Sequence, residues 1–414
     1  MFPWLELIQL ILRGTLEVFF ESFYWIILAV VGYQYWQMRK SQQRMFGVYG
    51  YSLFRQIAIA ASYGTIGGIL ASFLLTVVGV TLNQLGLTYI WPVALALMLI
   101  NMRFLCFAYA GGLVAIANVL FGWPEVNVPQ VLSLVAILHI TESFLIAISG
   151  RASAVPLILK RPDGRIVGAF SLQNFWPLPL VLLAVLSVPM AQLEQGMLSM
   201  PDWWPLLPSG VTPKAGEDLL HLMFPVVAAL GYSDMAVSSR PAERRRKSAL
   251  HLALYSATLL VLALLSVKFS WLQAVAALLS PLGHEFLIQM DNRREMGGQP
   301  VFVPPPRGLM VLDTVHDGLA QRAGVRSGDV LLRLGEYPIN TKMDLGAALY
   351  YAPVRVTLEF QRGSQSLRTE VEFAGGRRQM GIIPVPEGDE PVYMELAGSR
   401  FGFFDWVKEK LRRR

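Results

Sequence analysis

AGVRSGDVLLRLGEYPI (323–339) decides how the last quarter of the chain is read. Gly324 sits where a short helix, GLAQRAGV (318–325), would need a left-handed cap. Ser327-Gly328 reads as a turn, VLLRL (330–334) as a strand, and the stretch around Gly335 as a second turn. Upstream, GLMVLDTV (308–315) alternates as a strand does. Downstream, TKMDLGAALYY (341–351) has helical character, and VRVTLEFQRGSQSLRTEVEF (354–373) reads as a hairpin about Arg362-Gly363-Ser364. The predicted order is strand, short helix, strand, helix, two strands. This small α+β, β-rich unit is expected over 304–388.

The pattern resembles a PDZ domain of the bacterial type over about 304–375. The resemblance rests on Gly308-Leu309-Met310-Val311, Ala320, Ala323-Gly324-Val325 and Ser327-Gly328-Asp329-Val330-Leu331. It implies an extended peptide added to the strand at 309–312, beside the helix at 343–351. Backbone N–H groups following Arg307-Gly308 would receive a C-terminal carboxylate, with Arg307 adding positive charge. Met310 and Val311 would offer the strand edge, and Leu309, Leu345 and Leu349 the apolar pocket. Those leucines could equally fill the domain's own core, and an internal peptide segment could replace a free C-terminus.

Before this unit the composition changes. The chain is 54% hydrophobic and 15% charged, against about 25% charged in soluble domains. The apolar runs lie in 1–290, so this region is expected to be a polytopic α-helical membrane bundle. At about 20 apolar residues per crossing, it is expected to hold about 8–9 spans. Candidates fall near 18–37, 57–80, 88–102, 104–121, 129–149, 174–192, 217–233, 248–267 and 270–289. Glu6, Glu17 and Glu21 argue against a cleavable signal peptide. Basic clusters follow the first span (Arg39, Lys40, Arg44, Arg55), the fifth (Lys160, Arg161, Arg165), the seventh (Arg240, Arg244–Lys247) and the last (Arg293, Arg294). With nine spans these clusters share one side, placing the N-terminus outside and the C-terminal unit in the cytoplasm. Pro162-Asp163-Gly164 predicts a β-hairpin within 151–173. Gly64 and Gly68 have the spacing of a close helix–helix contact, or a chance spacing in a Gly/Ala-rich run. Trp203 and Trp204 fit an interfacial belt.

SPLGHEFLIQ (280–289) raises the question of metal chemistry. A zinc protease helix needs a second His four residues after the first, with the intervening Glu as base. Here that position is Ile288, and Gln289 is one residue late. His139 and Glu142 share a helix face and are either functional or a structural hydrogen bond. Cys106 is the single cysteine, so no intramolecular disulfide forms. There is no Gly-x-Ser-x-Gly turn, phosphate-cradling loop, Cys/His spacing motif or basic soluble face for nucleic acid. The reading is a non-enzymatic protein with no catalytic residues, metal or cofactor. A degenerate or active intramembrane metalloprotease, and a transporter-like protein with a regulatory PDZ domain, are the alternatives.

A polytopic region running directly into one such domain resembles the MinJ-like family of division-site adaptors. FYWIILAVVGYQYWQMRK (23–40), GRIVGAFSLQNFWPLPL (164–180) and HEFLIQMDNRREMGGQPVF (284–302) carry the likeness with the C-terminal unit. It implies a scaffold at septa and poles that bridges a DivIVA-like polar protein to a MinD-like inhibitor. Self-association stays open. The end of the chain, 389–414, reads as a basic amphipathic tail, with Phe403, Phe404, Val407 and Leu411 at helical spacing and Lys408, Lys410 and Arg412–Arg414 for anionic lipid.

Overall fold

The computed structural model describes residues 2–47, 51–149, 154–189, 198–373 and 378–395. A helical N-terminal half leads into a sheet-rich C-terminal region. The helices are α1 (Trp4–Val18), α2 (Ser22–Phe46), α3 (Leu53–Val78), α4 (Leu87–Ile100), α5 (Phe107–Phe121) and α6 (Val128–Ile148). Strands β1 (Ala154–Lys160), β2 (Ile166–Pro189) and β3 (Glu217–Ala236) follow, then α7 (Pro241–Leu265) and α8 (Trp271–Gly297). Among the described residues, α3, α6, α7 and α8 are long and apolar enough to cross a membrane. The bent pair α1–α2, kinked by 71°, makes up to five. α4 and α5 are shorter apolar helices. Buried on nearly every face, α6 forms the centre of the bundle, and α3, α5, α7 and α8 pack around it.

The structure supports four, or up to five, spanning helices rather than the expected 8–9, by the length a helix needs to cross. The main correction concerns the segments expected at 174–192 and 217–233: Ile166–Pro189 and Glu217–Ala236 are the strands of the long hairpin β2–β3, not helices. The prolines explain it. Pro177, Pro179, Pro189 and Pro225 would each break a helix, at about 3 kcal/mol apiece. In the strands they sit where no ladder N–H is required. Pro177 and Pro179 pair with Ala229 and Val227, and their carbonyls face α3 rather than β3.

A strand edge in an apolar region must satisfy every backbone donor. On the far side of β2, Phe175 N–H donates to the Tyr35 hydroxyl at 3.3 Å and Val181 N–H to Ser72 Oγ at 2.8 Å. Leu183 bridges to Thr81. Asn83 takes Val185 N–H and donates to its carbonyl, both at 2.8 Å. Between 175 and 185 the two other positions on this side, 177 and 179, are the prolines. Gly64 and Gly68 let α3 approach: a Cβ on either would lie 2.1 or 2.2 Å from the Pro177 or Pro179 carbonyl oxygen. The small-residue pair thus serves a helix–strand contact rather than a helix–helix one.

The turn at 161–165 closes β1 onto β2, with Arg161 N–H bonded to the Arg165 carbonyl at 2.9 Å and Gly164 at φ 83°. The C-terminal region contains β4 (Leu309–Thr314), α9 (Leu319–Arg322), β5 (Val330–Leu334), β6 (Tyr337–Pro338), α10 (Lys342–Tyr351), β7 (Arg355–Arg362), β8 (Gln365–Glu372), β9 (Ile382–Pro384) and β10 (Met394–Glu395). Its main sheet runs β8-β7-β5-β4-β9, with β6 paired to β5. β10 leaves this unit and pairs in parallel with β1. The rest of the expected amphipathic tail, 396–414, lies outside the described residues.

Candidate functional site

The sheet unit was expected to take a peptide along β4. The structure places that strand inside the sheet instead. On one side Val311 N–H donates to the Asp329 carbonyl and Gly328 N–H to the Val311 carbonyl, both at 2.8 Å. On the other side Val385 N–H donates to the Met310 carbonyl at 3.0 Å, and Val315 N–H to the Gly381 carbonyl at 2.8 Å. With partners on both edges, 309–312 has no room for an added strand. The expected carboxylate cradle is also occupied: Gly308 N–H bonds Asn340 Oδ1 at 3.0 Å. Gly308 is needed for close packing, since φ is 86° and a Cβ would meet the Leu331 carbonyl at 2.6 Å. Arg307 is exposed beside it. Leu309, Val311 and Leu345 belong to the unit's own core, with Leu349 packed against it. Met310 packs the opposite way, with Leu312, Phe302 and the membrane-half cluster.

Among the described residues, the free edge beside a helix belongs to β9. Gly381 and Val385 bond inward to β4, so by strand alternation Ile382 turns its N–H and C=O outward and Pro384 only its C=O. α10 runs alongside: Leu345, Leu349, Met380 and Ile382 share one apolar cluster. The segment is pinned to both ends of α10. Arg378 donates to the Tyr350 carbonyl, while Lys342 pairs with Glu390 and its N–H donates to Glu387 Oε1 at 2.7 Å. Burial pushes the Glu390 carboxyl up, but hydrogen bonds from Lys342 and the Glu387 and Gly388 amides outweigh it and hold the group below its ordinary value. Asp344 is likewise lowered, by the Asn340 and Thr341 amides in a capping box at the start of α10. Exposed Met343, Tyr350 and Tyr351 line the outer surface of this helix. The MGIIP run (380–384), a second short apolar run after the hairpin, is the sequence signal for this strand.

The membrane half draws together residues that were read singly. His139 on α6 and His284 on α8 have ring centroids 5.1 Å apart. Cys106, at the start of α5, lies with its Sγ 3.2 Å from His139 Nε2 and 4.0 Å from His284 Nε2. Glu285 accepts from Arg103 at 2.6 Å, Tyr109 at 2.7 Å and Gln289 at 2.6 Å. Glu142 is not part of this group. Residue spacing along one helix does not reveal this group, because its members come from the start of α5, α6 and α8.

No family model matches the chain. It is similar to the cell division topological determinant MinJ of Bacillus subtilis (strain 168), with 23% identity over 270 residues. The match covers 65% of this chain and 63% of that protein, just under two thirds of its length.

Proposed function

We propose that this protein is a membrane-embedded, non-enzymatic adaptor in cell-division site selection. Its C-terminal unit is read as a PDZ-type module that docks an extended peptide of a partner along β9. The observation that carries this reading is the outward edge of Ile382–Pro384 with the apolar side of α10 beside it. The likeness to a division determinant supplies the process. The proposed partners are a MinD-like inhibitor, a DivIVA-like polar protein and other septal proteins. The proposed location is the plasma membrane at septa and poles, with the module and the basic clusters in the cytoplasm.

A fluorescent fusion of the full chain is expected to concentrate at septa and poles, and loss of the gene to give filaments or misplaced septa. Ile382→Pro removes the outward N–H, so its fusion is expected to stay in the membrane but spread evenly. A wild-type fusion that is uniform in cells dividing normally would refute the adaptor reading. Unchanged septal enrichment of Ile382→Pro would refute the docking edge alone.

A further inference from the structure

We propose that Cys106, His139 and His284 form a Zn2+ site inside the membrane bundle. Each residue offers one donor atom, and the three donors lie within 4.8 Å of one another. A thiolate and two imidazoles are a borderline-soft set that suits zinc and rejects magnesium and calcium. Around zinc, with bonds of about 2.0–2.3 Å, neighbouring donors in a tetrahedron lie roughly 3.3–3.7 Å apart. The observed sulfur-to-nitrogen separations, 3.2 and 4.0 Å, bracket that span.

The surroundings are arranged as a ligand shell requires. His139 is 2% exposed, and its Nδ1 lies 2.7 Å from the Val135 carbonyl. That contact makes Nδ1 the N–H donor and leaves the Nε2 lone pair facing Cys106. His284 lacks such a bond: its Nδ1 is buried without a hydrogen-bond partner. Among the described residues, its Nε2 has only the 4.0 Å contact to sulfur. A ring left so poorly paired in an apolar bundle is costly unless something else binds it, and a metal bond supplies that. Tyr109 and Tyr255 stand edge-on to the His284 ring at 5.3 and 5.8 Å and fence the site.

Two features set the role. The ligands come from the start of α5, the middle of α6 and α8, so one ion would tie three helices together. Glu285, next to His284, is held by three donors rather than left to act as a base. The site is therefore a clamp within the bundle, distinct from the one-helix arrangement of a zinc protease and independent of the β9 edge.

The test uses the full chain in detergent, purified through a tag without histidine and loaded with Co2+ as a spectroscopic probe. About one Co2+ per chain is expected, with a near-ultraviolet thiolate-to-metal band that Zn2+ abolishes by displacement. Cys106→Ser should erase the band, and His284→Ala should weaken binding at least tenfold. His316→Ala, in the C-terminal unit, should change nothing. Size-exclusion chromatography identifies any variant that fails to fold, and blocking the Cys106 thiol by alkylation of the wild-type protein then replaces that variant. A monodisperse wild-type protein that shows no thiolate band, or a band that survives loss of the Cys106 thiol, would overturn the site.

Discussion

Asp329 is 2% exposed, and both of its carboxylate oxygens accept from the Arg362 guanidinium, at 2.8 and 2.7 Å. A third bond, from Arg326 N–H at 2.8 Å, fixes the turn before β5. The acid of the Ser-Gly-Asp turn is thus the anchor between β5 and β7. The bidentate fork explains why a carboxylate rather than an amide stands here. Asp329→Asn keeps the shape but removes one acceptor and the charge, leaving the guanidinium under-paired. The expected loss is about 2 kcal/mol, because Arg362 is partly solvated and the full cost of a broken buried pair does not apply. Pulse proteolysis of the full chain in urea should show the C-terminal unit cleaved at lower urea while the membrane half stays resistant. Equal resistance of mutant and wild type would refute the anchor role.

At the level of elements, hydropathy located the apolar segments but not their form. The strand–helix–strand order around AGVRSGDVLLRLGEYPI was legible because each turn residue has one conformational reason to be there. Gly324 and Gly328, for instance, have φ of 82° and 86°. The β2–β3 hairpin was not legible as such, since a long apolar run satisfies a span count in either conformation. The prolines were the distinguishing signal. The open β9 edge is not legible for another reason: strand alternation in GLMVLDTV says which faces are apolar, not which neighbour closes each edge, and β9 comes from about 70 residues further on in the chain, about the length of the unit itself. The grouping of Cys106, His139 and His284 depends on tertiary contacts alone. If α3 and β2 meet as described, Gly68 cannot carry a side chain. Gly68→Val is expected to cost about 3 kcal/mol or more through displacement of the Pro179 carbonyl. Ser72→Ala, which only orphans Val181 N–H, should cost about 1–2 kcal/mol. The recovered fraction of monodisperse protein and its thermal midpoint rank the two. Equal effects would mean that the close approach is not what holds the hairpin.

For the whole molecule, the hairpin also connects the membrane half to the C-terminal unit. The Gly168 amide of β2 donates to the Phe302 carbonyl at 2.9 Å, and Leu312 of β4 packs into the same core as Phe170 and Leu172. β10 extends the sheet at β1, with Lys160 and Glu395 3.0 Å apart. A cavity of about 560 Å³ remains between the two parts, lined in part by Gln56, Arg240, His316 and Asp329. The unit is thereby seated on the end of the hairpin that carries the basic turn, and among the described residues the outer edge of β9 pairs with no strand. The proposed orientation follows from the same path. For the proposed orientation only parity matters: the antiparallel β2 and β3 stand where two helices were expected, and an even replacement leaves parity unchanged. The short helices α4 and α5 form a second pair. In the proposed orientation the basic residues at the end of α2, in the β1–β2 turn, at the β3–α7 junction and at the end of α8 share one side, with fewer spanning helices than expected. Alkaline phosphatase, active only after export, is expected to be active when fused within 198–216, between β2 and β3, and inactive at Asp163 or after Gly298. A cytoplasmic fluorescent reporter should give the reverse pattern at the same sites. Phosphatase activity at Asp163 together with silence within 198–216 would invert the whole arrangement, and with it the access of cytoplasmic division proteins to β9.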